Sequence, residues 1–122
     1  MEEKAGEVFS IAKDNMPVPG CTISKEVHGG ENGIIYFSLA KNTDISAEIF
    51  PYHKLLIVAE GSLEVYGTNG YRKVLHAGDS VLTSTDIPIG MKTDTGAVYT
   101  EIEIRRSDIM NEAIKAGEVF RL

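Results

Sequence analysis

Residues 53–83 read HKLLIVAEGSLEVYGTNGYRKVLHAGDSVLT and contain three strand-like runs separated by turn signals. The turn signals are Glu60-Gly61, Thr68-Asn69-Gly70 and Ala77-Gly78-Asp79. Asn-Gly between alternating apolar residues is a strong hairpin signal, because both central residues of the preferred two-residue turn need a positive φ. Gly61 interrupts what would otherwise be one long strand, which is typical of a bend or bulge where a barrel turns a corner. This stretch therefore predicts antiparallel strands that curl.

Apolar runs on both sides of this stretch predict further strands. They are rich in β-branched and aromatic residues and are too short for most helices. The predicted strands outside 53–83 are 22–27, 34–40, 47–50 and 97–104. Residues 41–46 are polar and residues 84–90 contain a proline, so we expect loops there. Short strands separated by frequent turns predict an antiparallel sandwich or barrel.

The two ends of the chain differ from this strand-rich middle. Residues 1–20 show no clean periodicity and include two prolines, so we expect an N-terminal arm that lies on the barrel. A single helix is predicted near the C-terminus, where Ser107-Asp108 can cap it and Gly117 can end it.

Composition limits the classes of partner. The 122 residues suit one domain, and the net charge of −6 with scattered basic residues disfavours nucleic acid and anionic membranes. No apolar run approaches the ~18 residues of a membrane span, and residues 1–7 do not resemble a signal peptide. A single cysteine, Cys21, cannot form an internal disulfide, which predicts a cytoplasmic protein in which Cys21 is a small buried thiol.

The central stretch also carries a family resemblance. Residues 58–65 read VAEGSLEV, and Gly78-Asp79 follows at the third turn signal; together they resemble the two motifs of the cupin family. The resemblance implies an all-β, cupin-type antiparallel sandwich or barrel (a double-stranded β-helix, or jelly roll) with one short C-terminal helix. Combined with the predictions for the two ends of the chain, it gives an arm at 1–20, a barrel at 21–106, and a helix with the start of a second repeat at 107–122.

A hexapeptide is repeated at the two ends. Residues 4–9 and 115–120 both read KAGEVF, an offset of 111 residues that is about one cupin barrel. An internal repeat of that period indicates tandem domains, so the chain is expected to be the N-terminal half of a two-barrel protein (a bicupin). The alternatives are that the hexapeptide docks at equivalent places in a homodimer, or that the repeat is coincidental.

The metal-ligand positions of the family are replaced in this sequence. The resemblance implies three His and one Glu inside the barrel; Lys54 stands at the Glu position and Ile89 at the last His. The first two His positions fall on Glu48 and Phe50, or on Ala47 and Ile49 under a wider spacing. The scaffold positions are kept, as Gly61, Gly78, Asp79 and Pro88. We therefore expect neither a conventional metal site nor a metal cofactor.

Four of these residues form the candidate ligand pocket: Glu48, Phe50, Lys54 and Ile89. They predict an apolar barrel mouth holding one acid and one ammonium. Glu48 and Lys54 either form an ion pair or reach solvent; alternatively Lys54 pairs with a small anionic ligand, or acts as a base or nucleophile. His53 should face away from Lys54, unless a bulge after Pro51 turns it inward beside Glu48 as a reduced two-residue metal set.

Three functions remain open from the sequence. The first is a metal-free cupin domain that binds a small molecule or serves as the structural partner of a second barrel. The second is a metal-dependent cupin enzyme, of isomerase, decarboxylase or dioxygenase type, that uses the reduced set Glu48 and His53. The third is a purely structural barrel that dimerises through its strand edges.

Overall fold

A computed structural model describes residues 5–28 and 33–105 of the chain. The predicted C-terminal helix and the second copy of the hexapeptide lie outside the described residues. Within them, the elements are a helix, α1 (Ile11–Asp14), and the strands β1 (Thr22–His28), β2 (Ile34–Leu39), β3 (Thr43–Glu48), β4 (His53–Gly67), β5 (Arg72–His76), β6 (Ser80–Leu82), β7 (Ile89–Thr93) and β8 (Ala97–Ile104). The four-residue helix α1 was not predicted from the sequence.

The strands form a curled antiparallel sheet around the long strand β4. The order is β1-β2-β8-β4-β7-β3, and β5 and β6 are additional partners of β4. The first half of β4 pairs with β8 and β6, and its second half pairs with β5 and β7. A strand that changes partners halfway along belongs to both layers, so the sheet folds over itself as predicted.

The fold-over takes place at Gly61. The pairing of β4 with β8 shifts register between Val58 and Glu60, and Gly61 has a φ of +74°. A Cβ atom at Gly61 would overlap the carbonyl oxygen of Gly96, which accepts the N–H of Ser62 at 3.2 Å. Only glycine meets both the positive φ and the close approach without strain, so the predicted bend at Gly61 is confirmed.

The turn at Gly78-Asp79 forms backbone hydrogen bonds with β4 at this register shift. Gly78 has a φ of +91°, and Asp79 Oδ2 accepts the N–H of His76 at 2.9 Å. Val58 then donates its N–H to the carbonyl of Asp79 at 3.0 Å and accepts the N–H of Gly78 at 2.8 Å. These backbone bonds connect the turn before β6 to the register shift in β4.

The hairpin between β4 and β5 differs in detail from the two-residue turn that Asn-Gly favours. Gly70 has a positive φ of +91°, whereas Asn69 does not. Gly67 donates its N–H to the carbonyl of Tyr71 at 2.8 Å, and Asn69 Oδ1 accepts the N–H of Tyr71 at 3.1 Å. The hairpin was predicted correctly, but its loop is one residue longer and uses a single glycine in the left-handed region.

Two segments that were predicted as loops contain strand residues instead: one holds most of an edge strand, and the other holds the start of a buried strand. The polar segment 41–46 contains most of β3, whose residues alternate between half-buried and exposed along the edge of the sheet. This period of two is a strand signal even where the exposed positions are polar. The segment 84–90 contains the start of β7, which pairs with β3 on one side and with β4 on the other.

The core lies between the two layers. Leu39, Leu56, Leu63 and Tyr99 are fully excluded from solvent, and the Tyr99 ring stacks on Phe37 with 5.2 Å between ring centres. The inward face of β8 therefore packs against the inward faces of β2 and β4.

The N-terminal segment is attached to the outside of β2. Asn15 is buried, and its Nδ2 donates to Ser38 Oγ at 3.1 Å while the Ser38 hydroxyl donates to the Asn15 carbonyl. Phe9 lies against Tyr36, with 5.7 Å between ring centres.

Cys21 is exposed, so the prediction of a buried thiol is wrong: Cys21 precedes β1 instead of lying inside the barrel. No helix among the described residues is long and apolar enough to cross a membrane.

The close approach at Gly61 predicts that an added side chain destabilises the protein more at Gly61 than at Gly70. Gly61→Ala should lower the free energy of unfolding by about 3 kcal/mol, the sum of ~1–2 kcal/mol for a left-handed alanine and ~1–3 kcal/mol for overpacking. Gly70→Ala is the matched control, because Gly70 has the same sign of φ but no atom of the described residues lies within 4 Å of its Cβ position. Gly70→Ala should lose only the ~1–2 kcal/mol of unfolding free energy that a left-handed alanine costs. Urea unfolding measures both, and equal losses would contradict the role of the Gly96 contact.

Candidate functional site

A cavity of about 160 Å³ lies between the two layers. Its apolar wall comes from β2, β3, β4 and β7, and its polar lining comes from the end of β3, the start of β4, the segment after β6 and the middle of β8. The apolar side chains are Phe37, Ile45, Phe50, Leu56, Ile89 and Met91; the polar ones include Glu48, Lys54, Thr83, Ser84 and Glu101. The site therefore combines apolar walls with a few convergent polar groups, as ligand pockets generally do.

All four residues of the candidate pocket line this cavity. Glu48 ends β3 and is paired with Ile89, the first residue of β7. Lys54 is the second residue of β4, and Phe50 lies in the connection before it. Two features bring these residues together: Glu48 pairs with Ile89 across β3 and β7, and the short connection between β3 and β4 carries Phe50 and leads directly to Lys54.

The ion pair inside the barrel is different from the expected one. Lys54 Nζ lies 3.4 Å from Glu101 Oε1, whereas Glu48 is exposed. The ammonium also lies 3.3 Å from the centre of the Phe50 ring. The predicted Glu48–Lys54 pair is therefore wrong. The acidic partner of Lys54 is Glu101 of β8.

The register of β4 and β8 explains this pairing. Lys54 lies directly opposite Glu103, and the next inward residue, Leu56, lies opposite Glu101. Glu103 is already engaged: its Oε1 accepts from Arg105 at 2.9 and 3.1 Å, and its Oε2 accepts from the Tyr52 hydroxyl at 3.3 Å. The ammonium of Lys54 consequently reaches the diagonal neighbour, Glu101.

Tyr52 and Arg105 connect the segment before β4 to β8. Arg105 Nη2 donates to the Tyr52 hydroxyl at 3.1 Å, and the guanidinium lies 4.4 Å from the centre of the Tyr52 ring. Tyr52 in turn contacts Phe50, with 5.6 Å between ring centres. Burial, together with the nearby charge of Glu103, raises the pKa of Tyr52. This network holds Phe50 over Lys54.

Glu101 is the most unusual group of the site. It is only 2% exposed, and burial raises the pKa of its carboxyl, an effect that Lys54 partly offsets and Glu103 reinforces. A separation of 3.4 Å is long for a charge-assisted hydrogen bond, which measures about 2.7–2.9 Å. Within the part of the chain that the structure describes, Glu101 Oε1 has no hydrogen-bond partner. Within the described residues this buried acceptor, which is charged when ionised, therefore has an ion pair with Lys54 but no hydrogen bond.

Tyr99 is the second buried group of this kind. Its hydroxyl also lacks a hydrogen-bond partner among the described residues, and it lies on the same face of β8 as Glu101. Burial raises the pKa of Tyr99 well above its usual value, and the charge of Glu101 adds to this effect. The inward face of β8 is therefore more polar, and less completely paired, than the rest of the core.

The sequence analysis missed Glu101, although residues 97–104 were correctly predicted as a strand. Simple alternation favours Val98, Ile102 and Ile104 as the buried face, whereas the inward face carries Tyr99, Glu101 and Glu103. The available signal was two carboxylates at alternate positions of an otherwise apolar strand. Turning that signal into a partner for Lys54 requires the register between β4 and β8, which the sequence alone does not reveal.

His53 does not line the cavity that Glu48 lines. Its Nδ1 lies 2.7 Å from the carbonyl oxygen of Thr83, which requires that nitrogen to carry the proton. Residues 5–28 and 33–105 contain no group of three or more His, Cys, Asp or Glu side chains that could hold a metal ion. The reduced metal set Glu48 and His53 remains a prediction.

A larger groove of about 520 Å³ lies elsewhere, beside the N-terminal segment and the Gly61 corner. It is lined by Pro17, Pro19 and several glycines, and its charged residues, Lys41 and Glu60, are exposed. In the described chain, no unsatisfied buried side-chain atom belongs to this groove. The cavity at Glu101 is the better candidate, because buried polar groups without partners mark the place where another group can bind.

Comparison with known proteins supports the fold. No protein-family model matches the sequence, and comparison with curated proteins finds no relative. A conserved protein of unknown function from Streptococcus pyogenes superposes with a TM-score of 0.78 and 16% identity, covering 86% of this chain and 92% of that protein. A cupin superfamily protein from Desulfitobacterium hafniense gives 0.76 and 12%, covering 84% and 94%.

A cupin 2 conserved barrel domain protein from Leptotrichia buccalis gives a TM-score of 0.77 and 16% identity, covering 88% of this chain but 54% of that protein. Identities this low show the fold alone. The chain therefore has the cupin fold, as the central stretch predicted, while its place as the N-terminal half of a two-barrel protein stays a prediction.

The buried ion pair predicts a pH dependence that a single substitution should expose. Lys54→Met leaves Glu101 without its cation, so the variant should lose about 3 kcal/mol of unfolding free energy near pH 8. The loss should be smaller near pH 5. A folded-state pKa above the unfolded value means that the folded state binds the proton more tightly, so stability falls as pH rises from about 4.5 through the raised pKa.

The double variant Lys54→Met/Glu101→Gln serves as the control for this experiment. It carries no buried charge at the pair, so it should regain stability near pH 8 and lose the extra pH dependence. Urea unfolding at several pH values measures all three proteins. If the single and double variants lose the same free energy at pH 8, Glu101 is not a charged partner of Lys54.

Proposed function

We propose that this cupin-fold chain is a metal-free, small-molecule-binding domain whose ligand occupies the cavity beside Lys54 and Glu101. The observation that carries the proposal is the buried carboxylate of Glu101, which lines the cavity and whose Oε1 makes no hydrogen bond within the described residues, the ammonium of Lys54 lying 3.4 Å away. An unsatisfied buried polar group costs about 1–3 kcal/mol, and more when it is charged. A bound molecule that donates to this oxygen would remove that cost.

The size of the cavity restricts the ligand. At about 160 Å³ it is smaller than the ~300–1,000 Å³ of typical ligand pockets. At ~30 Å³ for each water, it has room for about five water molecules. The proposal is therefore for a compact metabolite or part of one, enclosed on several sides by apolar side chains.

The residues at the family's ligand positions do not suit a metal ion. Phe50 and Ile89 offer no donor atom, and the Lys54 ammonium would repel a cation. A metal-dependent enzyme would have to use Glu48 and His53, yet His53 points its Nδ1 at the Thr83 carbonyl. Elemental analysis of protein purified without chelator tests this alternative, and a stoichiometric metal would overturn the metal-free proposal.

A structural role beside a second barrel is the other alternative. It is favoured by the repeated hexapeptide and by the Leptotrichia buccalis protein, of which this chain matches about half the length. A structural barrel needs no unsatisfied acceptor in its interior, so the Glu101 cavity supports ligand binding over this alternative. The two roles are compatible within one two-barrel protein.

A cavity-filling variant tests the proposal. Ile45→Trp places an indole in the cavity, whereas Val74→Trp adds the same group at an exposed position on β5. In a thermal-shift screen of small polar metabolites, at least one compound should raise the melting temperature of the wild type and of Val74→Trp but not of Ile45→Trp. The chain has no native tryptophan, so fluorescence of each indole reports its environment.

Two results of this screen would count against the proposal. One is that no compound stabilises the wild type. The other is that every stabilising compound acts equally on Ile45→Trp, which would place binding outside the barrel.

A further inference from the structure

We infer that the ligand of this cavity is a compact, uncharged molecule that presents hydroxyl groups to Glu101 and Thr83. The inference rests on the proposed function and specifies its ligand class. It follows from three features of the cavity: the ion pair between Lys54 and Glu101, the carboxylate and hydroxyl oxygens that can still take part in hydrogen bonds, and the apolar side chains of the lining.

The charge distribution disfavours an anionic ligand, which the sequence alone suggested. The ammonium of Lys54 is already shared between Glu101 Oε1 at 3.4 Å and the Phe50 ring at 3.3 Å. A bound anion would have to compete with Glu101 for that ammonium while lying near a second carboxylate, Glu48, at the exposed side of the cavity. Like charges at short range disfavour this arrangement.

A cationic ligand meets the opposite difficulty. It could approach Glu101 only beside the Lys54 ammonium, which already neutralises that carboxylate. The aromatic face that would otherwise attract a cation, Phe50, is covered by the same ammonium. An uncharged ligand avoids both repulsions and leaves the existing ion pair intact.

The free hydrogen-bonding positions match a hydroxyl group. Glu101 Oε1 makes no hydrogen bond within the described residues, so it can accept one from a ligand in addition to its ion pair with Lys54. Thr83 Oγ1 already accepts the N–H of Lys54 at 3.0 Å, so its own hydrogen is available to donate to the ligand. A hydroxyl group can donate to Glu101 and accept from Thr83, whereas an ether can only accept and an ammonium can only donate.

The apolar part of the lining accepts a hydrocarbon skeleton. Phe37, Ile45, Leu56, Ile89 and Met91 present only carbon and sulfur atoms to the cavity. A ligand with C–H groups on one side and hydroxyls on the other would bury its apolar surface there while its polar groups face Glu101 and Thr83. Small diols and polyols have this division.

Four probes of similar length test the charge and the hydrogen-bonding role separately. Butane-1,4-diol is uncharged with two hydroxyls; its isomer 1,2-dimethoxyethane is uncharged and lacks donors; putrescine is a dication and succinate a dianion. Each is titrated at millimolar concentration into wild-type protein and followed by amide chemical shifts. We expect the diol to shift residues of β8 and of the segment after β6, and to bind about tenfold more tightly than the diether.

A pair of variants assigns the effect to Glu101. Glu101→Gln should weaken diol binding about tenfold, because a neutral acceptor replaces a charged one. The control, Glu64→Gln, removes a carboxylate of β4 that pairs with Arg72 and Lys92 and does not line the cavity. It should leave diol binding unchanged. If Glu101→Gln fails to fold, the comparison of the two isomers on the wild type decides the question.

The outcomes separate this inference from the proposed function. If putrescine or succinate binds, loses its effect in Ile45→Trp, and the diol does not bind, the ligand class is wrong but the barrel interior is still the binding site. If the diether binds as well as the diol, the hydroxyl requirement is wrong. If no probe binds, the inference fails, and the metabolite screen with Ile45→Trp and Val74→Trp judges the proposed function independently.

Discussion

The structure depends on one close contact, between the backbone of Gly61 in β4 and the carbonyl of Gly96 before β8. This contact lets a single strand of 15 residues belong to both layers. Without it, β4 would continue straight, and its two halves could not pair with different strands. The register shift between Val58 and Glu60 is then fixed from the other side by the turn at Gly78-Asp79. The motif residues that resemble cupins are therefore the residues that make the corner.

The corner also determines what the barrel contains. Once the first half of β4 pairs with β8 in this register, Lys54, Glu101 and Glu103 all point inward. Three charged groups in so small an interior must be paired or neutralised. Glu103 is paired with Arg105 and Tyr52, which leaves Lys54 and Glu101 to each other. At a separation of 3.4 Å, Lys54 neutralises the charge of Glu101 but does not form a hydrogen bond with its Oε1.

The sequence was sufficient for the fold and for half of the site. Glycine and proline positions, the Asn-Gly hairpin and the apolar runs predicted the corner, the turns and most strands. They failed at β3, where an edge strand with polar outward residues looks like a loop, and at β7. Glu48, Phe50, Lys54 and Ile89 line one cavity, which their spacing along the chain made accessible to prediction, while their role in binding a ligand stays a prediction. Glu101 was missed because its proximity to Lys54 is a consequence of register between distant strands.

The interior holds an ion pair, Lys54–Glu101, beside the positions where the family resemblance implied metal ligands. Three imidazoles and a carboxylate around a cation would satisfy one another, whereas Lys54 and Glu101 leave an acceptor unsatisfied beside an apolar wall. Such an arrangement is destabilising for an empty barrel, since a hydrophobic pair of similar volume would often be as stable or more stable. Under the proposed function, a molecule that donates to Glu101 and lies against Phe37 and Ile89 would offset this cost. Stability and the proposed binding would then be opposed at the same residue, so substitutions of Glu101 should separate them.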